Sequence, residues 1–371
     1  MSRTALERIL GMVQKEFLQT FRDPRMLRVL FLAPIIQLIV FGYAVSTDIR
    51  NTSTFVVDHD RSQASRQLVD ALTASGYFRV TGRSERPSDL VRALDHGDAL
   101  IGIEIPAGFG ERLHEGRDAG VQILLDGTNS NMATVAQSYA ERIVWTFGLR
   151  AVGVPTATAV DLRDRAWYNP DLESRNYNVP AVVGMIVMLV CLLLTALAVV
   201  REREIGTLEQ LRVSPLRPAE LIAGKAIPFA LLGLVDLVVI TAVALLWFDV
   251  PFRGDFALLF LASLLFVASG LGVGLLISTV SATQQEAFLA SFLFFMPTIL
   301  LSGFLFPVSS MPEIFQWLTL ANPLRHYVEV VRAIFLKGTG VVVLWPQLSA
   351  LTLIGGAVFG AAIGRFRRSI G

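Results

Sequence analysis

Six stretches of the chain, taking in 27–46, 180–200, 226–248, 256–279, 287–306 and 344–364, are apolar enough over enough length to cross a bilayer as helices. A hydrocarbon core of about 30 Å takes about 20 helical residues. Within the six, the only charges are Arg28, at the edge of the first, and Asp236, deep in the third. Only 17% of the 371 residues are charged, whereas a soluble domain carries roughly 25%. The chain therefore lacks the polar surface to wrap one large soluble core. A net charge of +1 excludes a nucleic-acid binder built on bulk positive charge. The single cysteine, Cys191, excludes an intrachain disulfide and a cysteine-cluster metal site.

The first stretch could pass for a secretory signal, with Ala44-Val45-Ser46 as its cleavage site. It is too long for a signal core, and 25 residues of mixed sequence precede it. It reads as a span. Lys and Arg set the orientation. With the N-terminus in the cytoplasm, fourteen of them fall in the inner flanks and four (Arg253, Arg325, Arg332 and Lys337) in the short outer loops. This predicts both termini inside and residues 47–179 outside. The fold expected is an α-helical polytopic membrane protein with six transmembrane helices and an inserted extracytoplasmic α/β domain.

Residues 1–25 read as an amphipathic interface helix. Leu6, Ile9, Leu10, Val13, Phe17 and Phe21 form one stripe, and Arg8, Lys15, Gln19 and Arg22 lie opposite. That pattern suits a helix lying in the cytoplasmic face of the membrane, or a helix packed on a partner subunit. Asp23-Pro24 ends it before the span at 26–46. In 47–179, strands expected at 54–58, 77–81, 99–105 and 121–125 alternate with helices at 63–74, 88–94, 106–114 and 131–149, the pattern of a small α/β domain. Residues 161–178 read as a polar linker. Asp58, Asp60 and Asp126 fall at strand ends, where α/β enzymes place catalytic groups and where turns also favour aspartate.

The sequence contains no phosphate-cradling Gly-x-x-x-x-Gly-Lys-Ser/Thr loop and no His-Glu-x-x-His. No metal site and no catalytic set is expected. Gly270-x-Gly272-x-Gly274 and Gly356-x-x-x-Gly360-x-x-x-Gly364 mark places where helix backbones can approach closely, within one chain or between chains. Asp236 is a costly group inside a span. It reads either as a polar point on a substrate path or as a hydrogen-bonded pin between helices. The segment 201–225 is dense in charge, with a helix expected over about 202–212 that could serve as a handle for a cytoplasmic partner.

Glu202-Arg-Glu-Ile-Gly-Thr-Leu-Glu-Gln-Leu-Arg-Val-Ser-Pro-Leu-Arg-Pro-Ala-Glu-Leu-Ile-Ala-Gly-Lys225 closely resembles the loop after the second span of type-2 ABC exporter permeases. Asp126-Gly-Thr-Asn-Ser-Asn131, Trp167-Tyr-Asn-Pro170 and the run Asn322 to Gly338 resemble the same family, in its bacterial branch with a large outer domain. The resemblance implies that this chain forms half a path and binds no cofactor, while ATP and Mg sit in a separate ATPase subunit. It implies a coupling loop at 201–225, with Glu204, Gly206, Thr207, Leu208 and Glu209 contacting the ATPase, and a lesser contact through Gln284, Gln285 and Glu286. It further implies an outer re-entrant segment at 307–343 in a permease domain of 180–371, a second permease chain (a copy or a sister), a periplasmic adaptor and a bacterial inner-membrane location. The cargo expected is a drug, lipid or other amphiphile. Two rival readings are an outer enzyme or sensor on a membrane anchor, and a carrier driven by an ion gradient.

Overall fold

The computed structural model describes residues 5–45, 51–128, 130–151, 167–169, 173–206 and 218–370. They fall into two units, one of residues 1–46 with 166–371 and one of residues 47–165.

The smaller unit is a four-stranded sheet: β1 (Thr52–Asp58), β2 (Phe78–Ser84), β3 (Ile101–Ile105) and β4 (Gln122–Leu125), in the order β2-β1-β3-β4. β1 runs parallel to both neighbours and β4 is antiparallel to β3. Its core joins strand residues Val56, Phe78, Ile101, Ile103 and Ile105 to Leu68 and Leu72, one turn apart on a covering helix. The helix over Gln63–Ala74 starts where Ser62 accepts from the Ser65 N–H, as N-capping requires. A longer helix, Ser130–Ala151, lays Ala136 and Ala140 on the same core.

The larger unit is a helical bundle. In chain order, α1 is Ala5–Arg22. An unbroken helical run then leads from Pro24 through a π-turn at Arg28–Leu32 to Ala44. Two long helices follow, Ser174–Ile205 (the second-span helix) and Pro218–Leu246 (the third), with Phe256–Val280 as the fourth. Gln284–Leu300, two short helices at Glu313–Thr319 and Pro323–Arg332, and the last helix Val341–Ile370 complete the unit.

Among the described residues, four helices are long and apolar enough to cross a membrane: Ser174–Ile205, Ala219–Leu246, Phe256–Val280 and Val341–Arg365. Of the two other stretches, the first falls on a shorter apolar helix, Leu30–Ala44, and the second on the 17-residue helix Gln284–Leu300. The stretch expected at 287–306 stops being helical at Leu300, after Pro297. Gly303 then turns the chain with a φ of +78°, a conformation a side chain disfavours.

Two further expectations need correction. At 32 residues, the second-span helix is about 48 Å long, well beyond the hydrocarbon core, so each end takes in residues assigned elsewhere from sequence. Ser174–Asn178, read as linker, are its first turn, held by Asn178 Nδ2 donating to the Val45 carbonyl at 2.8 Å. Glu202–Ile205, read as the start of a separate helix, are its last turn. Gly206, with a φ of +82°, ends it, the usual way a helix stops at glycine. The remainder of the helix expected over 202–212, from 207 onward, lies outside the described residues.

Glycine sets the closest approaches. A Cβ at Gly274 would stand 2.8 Å from the Leu192 carbonyl oxygen and 2.9 Å from Thr195 Cβ, so the fourth helix lies directly on the second there. Gly270 faces the Met188 sulfur and Gly272 faces Val358 and Phe359 of the last helix. Gly356, Gly360 and Gly364 meet nothing within 4 Å among the described residues. The two glycine motifs therefore do different things, and only the first packs helices within this chain.

Candidate functional site

Four segments converge at the end of the bundle that carries α1. Lys225 Nζ, on the third-span helix, lies 2.9 Å from Glu16 Oε1 of α1 and 2.8 Å from Glu202 Oε2 of the second-span helix. Lys15 reaches the other Glu202 oxygen at 2.6 Å. The side chains of Lys225, Glu16 and Glu202 are 3%, 5% and 7% exposed. Burying such charges is tolerable only when each is paired, and here two lysines face two carboxylates. Arg8 adds a fork on Glu220, with contacts of 2.7 and 3.1 Å.

The bundle is met by Met12, Glu16 and Thr20, the buried residues of α1, with Met12 packed under Gly224, and by Arg8 and Lys15 from its basic face. The apolar stripe is divided: Ile9, Val13 and Phe17 are half-buried, and Leu6, Leu10 and Phe21 are exposed. The sequence pattern had shown two faces, but not that acids more than 180 residues away would claim the polar one.

Beside the cluster, the two predicted coupling segments meet. Glu204 accepts from the Gln284 backbone N–H at 2.7 Å and also from the Gln284 side-chain amide. Arg203 donates to the Ser281 carbonyl at 2.6 Å. Glu204 thus places its negative charge on the first turn of Gln284–Leu300, where the helix dipole favours an anion. Thr283 and Glu286 complete that helix start: Thr283 accepts from the Glu286 N–H, and Glu286 accepts from the Ala282 N–H at 2.7 Å. Glu286 is therefore engaged in holding its own loop. A cavity of about 140 Å³ lies at this junction, lined by Glu16, Gln19, Arg201, Lys225 and Gln284 among others. Thr207, Leu208 and Glu209 lie outside the described residues.

At the other end of the bundle the run Asn322 to Gly338 does structural work. Asn322 caps Pro323–Arg332 by accepting from the Leu324 N–H, and its amide donates to the Thr298 carbonyl at 2.8 Å. Tyr327 stacks on Phe266 at 4.0 Å, and its hydroxyl lies 2.7 Å from that of Ser263. Gly184 leaves the space this ring fills. Arg332 sits 3.5 Å over the Tyr177 ring and donates to the Gly303 carbonyl. Lys337 stands 6.0 Å over Tyr168, at the limit of a cation–π contact. These contacts run between stretches that are far apart in sequence, so spacing alone did not reveal them.

In the α/β unit two of the three strand-end aspartates, Asp58 and Asp126, hold their own turns, and Asp60 ties its turn to the start of the helix at Phe109–His114. Asp58 accepts from the Asp60 and Arg61 N–H groups and from Ser65 Oγ. Asp126 takes the N–H and hydroxyl of Thr128. Asp60 accepts from the Gly108 and Gly110 N–H groups, each at 2.9 Å. Burial pushes the Asp60 carboxyl up, but the Ser62 hydroxyl and the Gly110, Gly108 and Phe109 N–H groups outweigh it and hold it below the ordinary carboxylate range. Its contribution to stability is therefore complete above about pH 4 and fades as pH falls through the lowered value. Asp60→Ala is expected to destabilise this unit by about 1–2 kcal/mol at pH 7. The difference between wild type and variant should narrow below pH 4; a constant difference in melting temperature down to pH 2.5 would contradict this account.

Among the described residues no group of three His, Cys, Asp or Glu side chains is placed to hold a metal. A sequence profile described as "ABC-2 family transporter protein" matches residues 24–364. Over 364 residues the chain is 34% identical to the "Probable multidrug ABC transporter permease YbhR" of Escherichia coli, covering 98% of this chain and 99% of the relative. It is 32% identical to the "Probable multidrug ABC transporter permease YbhS" of the same organism, covering 95% and 94%. It is 30% identical to the "Inner membrane transport permease YhhJ", also of Escherichia coli, covering 91% and 93%.

Proposed function

The chain belongs to the ABC-2 family of transporter proteins, and from that premise we propose that it forms half the path of an ATP-driven exporter for drugs or other amphiphiles. It is a multi-pass membrane protein and an ABC transporter permease subunit, and its relatives are permeases, not enzymes. The family pairs such permeases with an ATPase subunit and arranges them as dimers. ATP and Mg bind in that ATPase, which docks at the end of the bundle carrying α1, the cytoplasmic end. Residues 47–165 then lie outside, where an adaptor protein can reach them, and six helices make the bundle once Pro24–Ala44 and Gln284–Leu300 are counted as spans.

The observation that carries this reading is the junction of Glu204 with Gln284. It joins the two segments assigned to the ATPase contact into one polar platform. Beneath it, Lys225 fastens α1 to the second- and third-span helices. A push on either loop is thereby delivered to several helices together. The ATPase closes on ATP, the platform moves, and the paired bundles alternate between inward and outward openings. Direction comes from hydrolysis; the permease contributes only its differential affinity for cargo in the two states.

Glu204→Ala tests the platform. It should leave membrane insertion unchanged and weaken ATPase docking about tenfold, equivalent to about 1.4 kcal/mol, read by co-purification and by loss of cargo-stimulated hydrolysis. Docking and stimulation at wild-type levels would remove the role assigned to Glu204.

A further inference from the structure

The cavity of about 140 Å³ at the α1 end holds two polar side chains that the junction does not use. Of its lining residues, Glu16 and Glu202 are held by Lys225, with Lys15 on the second oxygen of Glu202. The Thr20 hydroxyl donates to the Glu16 carbonyl, and the Gln284 side-chain amide donates to Glu204. Arg201 and Gln19 also line the cavity. Neither side chain takes part in a hydrogen bond or ion pair among the described residues. Three cations, Lys15, Lys225 and Arg201, thus meet two carboxylates, and one positive charge is left over. The next charges along, Arg203 and Glu204, turn instead to Ser281 and Gln284. Asp236 also lacks a hydrogen-bond partner, so the pin reading has nothing to rest on, but it is fully buried and lines neither this cavity nor the one at Leu237 and Thr241.

The position of the cavity says what can fill it. Arg201 is the first charge after the uncharged run 176–200, so on a spanning helix it stands where hydrocarbon gives way to headgroups. One turn deeper the lining is apolar, made by Leu197, Ala198 and Phe229 on the spanning helices Ser174–Ile205 and Ala219–Leu246. One wall is α1, whose Leu6, Leu10, Leu18 and Phe21 are exposed, as in a helix that rests in the membrane surface. A basic pocket between spanning helices at that depth suits an anionic headgroup. The volume is several times the roughly 30 Å³ of one water. It has room for a phosphate group, while the acyl chains stay in the bilayer.

We propose that this cavity binds the phosphate of an anionic phospholipid, with Arg201 and Gln19 as its donors. The guanidinium presents paired N–H groups that match two phosphate oxygens, and the Gln19 amide donates from α1. Glu16 and Glu202 do not repel the phosphate, because Lys225 and Lys15 neutralise them. A zwitterionic headgroup carries its own cation beside the phosphate and gains less from the surplus positive charge. The bound phosphate bridges α1 and the second-span helix next to the Lys225 cluster. A soluble phosphate ester offers the same chemistry without the chains, and the apolar lining below Arg201 favours the lipid.

The full-length chain in detergent is titrated with short-chain phosphatidylglycerol, with phosphatidylcholine of the same chains and with soluble glycerol phosphate. Adducts are counted by native mass spectrometry. Wild type is expected to bind phosphatidylglycerol about tenfold more tightly than phosphatidylcholine, and Arg201→Gln to bring the two within about twofold. Gln19→Glu, at an exposed position of α1, puts a like charge at the cavity and should lower phosphatidylglycerol affinity by a similar factor with the fold intact. Phosphatidylglycerol should also slow protease cleavage within Ala5–Arg22 of the wild type. A wild type without the preference, or a preference unmoved by Arg201→Gln, overturns the proposal; should that variant not fold, Gln19→Glu decides in the same way. Cleavage of α1 at equal rates with and without the lipid overturns the bridge. Glycerol phosphate that binds as tightly as the lipid, and loses that binding in Arg201→Gln, overturns the lipid assignment in favour of a soluble phosphate. No ATPase takes part, so failure here leaves the exporter reading standing, and failure of ATP-driven transport leaves this site standing.

Discussion

Lys225→Met should be among the most damaging single substitutions outside the α/β unit, costing about 3–5 kcal/mol. The substitution keeps much of the side chain's bulk and removes only the charge. Glu16 is then left buried without its lysine, beside a Glu202 that keeps the half-exposed Lys15. The loss comes from the orphaned charge more than from a lost attraction, so it should be non-additive. Glu16→Gln combined with Lys225→Met should cost less than the sum of the two single changes, because the stranded carboxylate is gone. Lys225→Arg should retain most of the stability. Thermal melting of the detergent-solubilised protein checks the magnitude, and protease cleavage within Ala5–Arg22 checks its location. Were Lys225→Met to melt within a degree of wild type with α1 still protected, the cluster would not be what fastens that helix.

The second large effect is expected at Gly274. A leucine there would drive its Cβ into the Leu192 carbonyl and to 3.3 Å from the Ala196 nitrogen. Both are backbone atoms of the most buried span, so neither can swing aside as a side-chain tip does. The fourth helix must lift off the second, at a cost of about 3 kcal/mol or more. Gly270→Leu should be milder, because its nearest atom is the Met188 sulfur at 3.2 Å, the end of a flexible chain. Gly360→Leu meets nothing within 4 Å and should change the melting temperature of the isolated chain little, by the equivalent of about 0.5 kcal/mol or less. The yield of monodisperse protein after gel filtration ranks the three. The reverse order, with Gly360 the most sensitive, would show that the assignment of the two glycine motifs is mistaken.

The amino-acid sequence by itself determined the class of object. Long uncharged runs cannot be satisfied in water, and Gln63–Ala74 announces its helix through Ser62 and an apolar spacing, both of which are local. The segments that matter at the α1 end, 201–206 and 280–287, were also legible as segments. Their union was not. Nothing in the spacing of Glu16, Glu202 and Lys225 tells that they share one buried cluster, because charge pairing has no periodicity along the chain; only the antiparallel packing of the second and third spans, with α1 laid across them, brings them within 3 Å. The same holds for the glycines, which look alike in sequence. Whether a missing Cβ is filled by a neighbouring backbone, as at Gly274, or faces open space, as at Gly360, depends on which side of a helix meets another, and tertiary packing alone decides that.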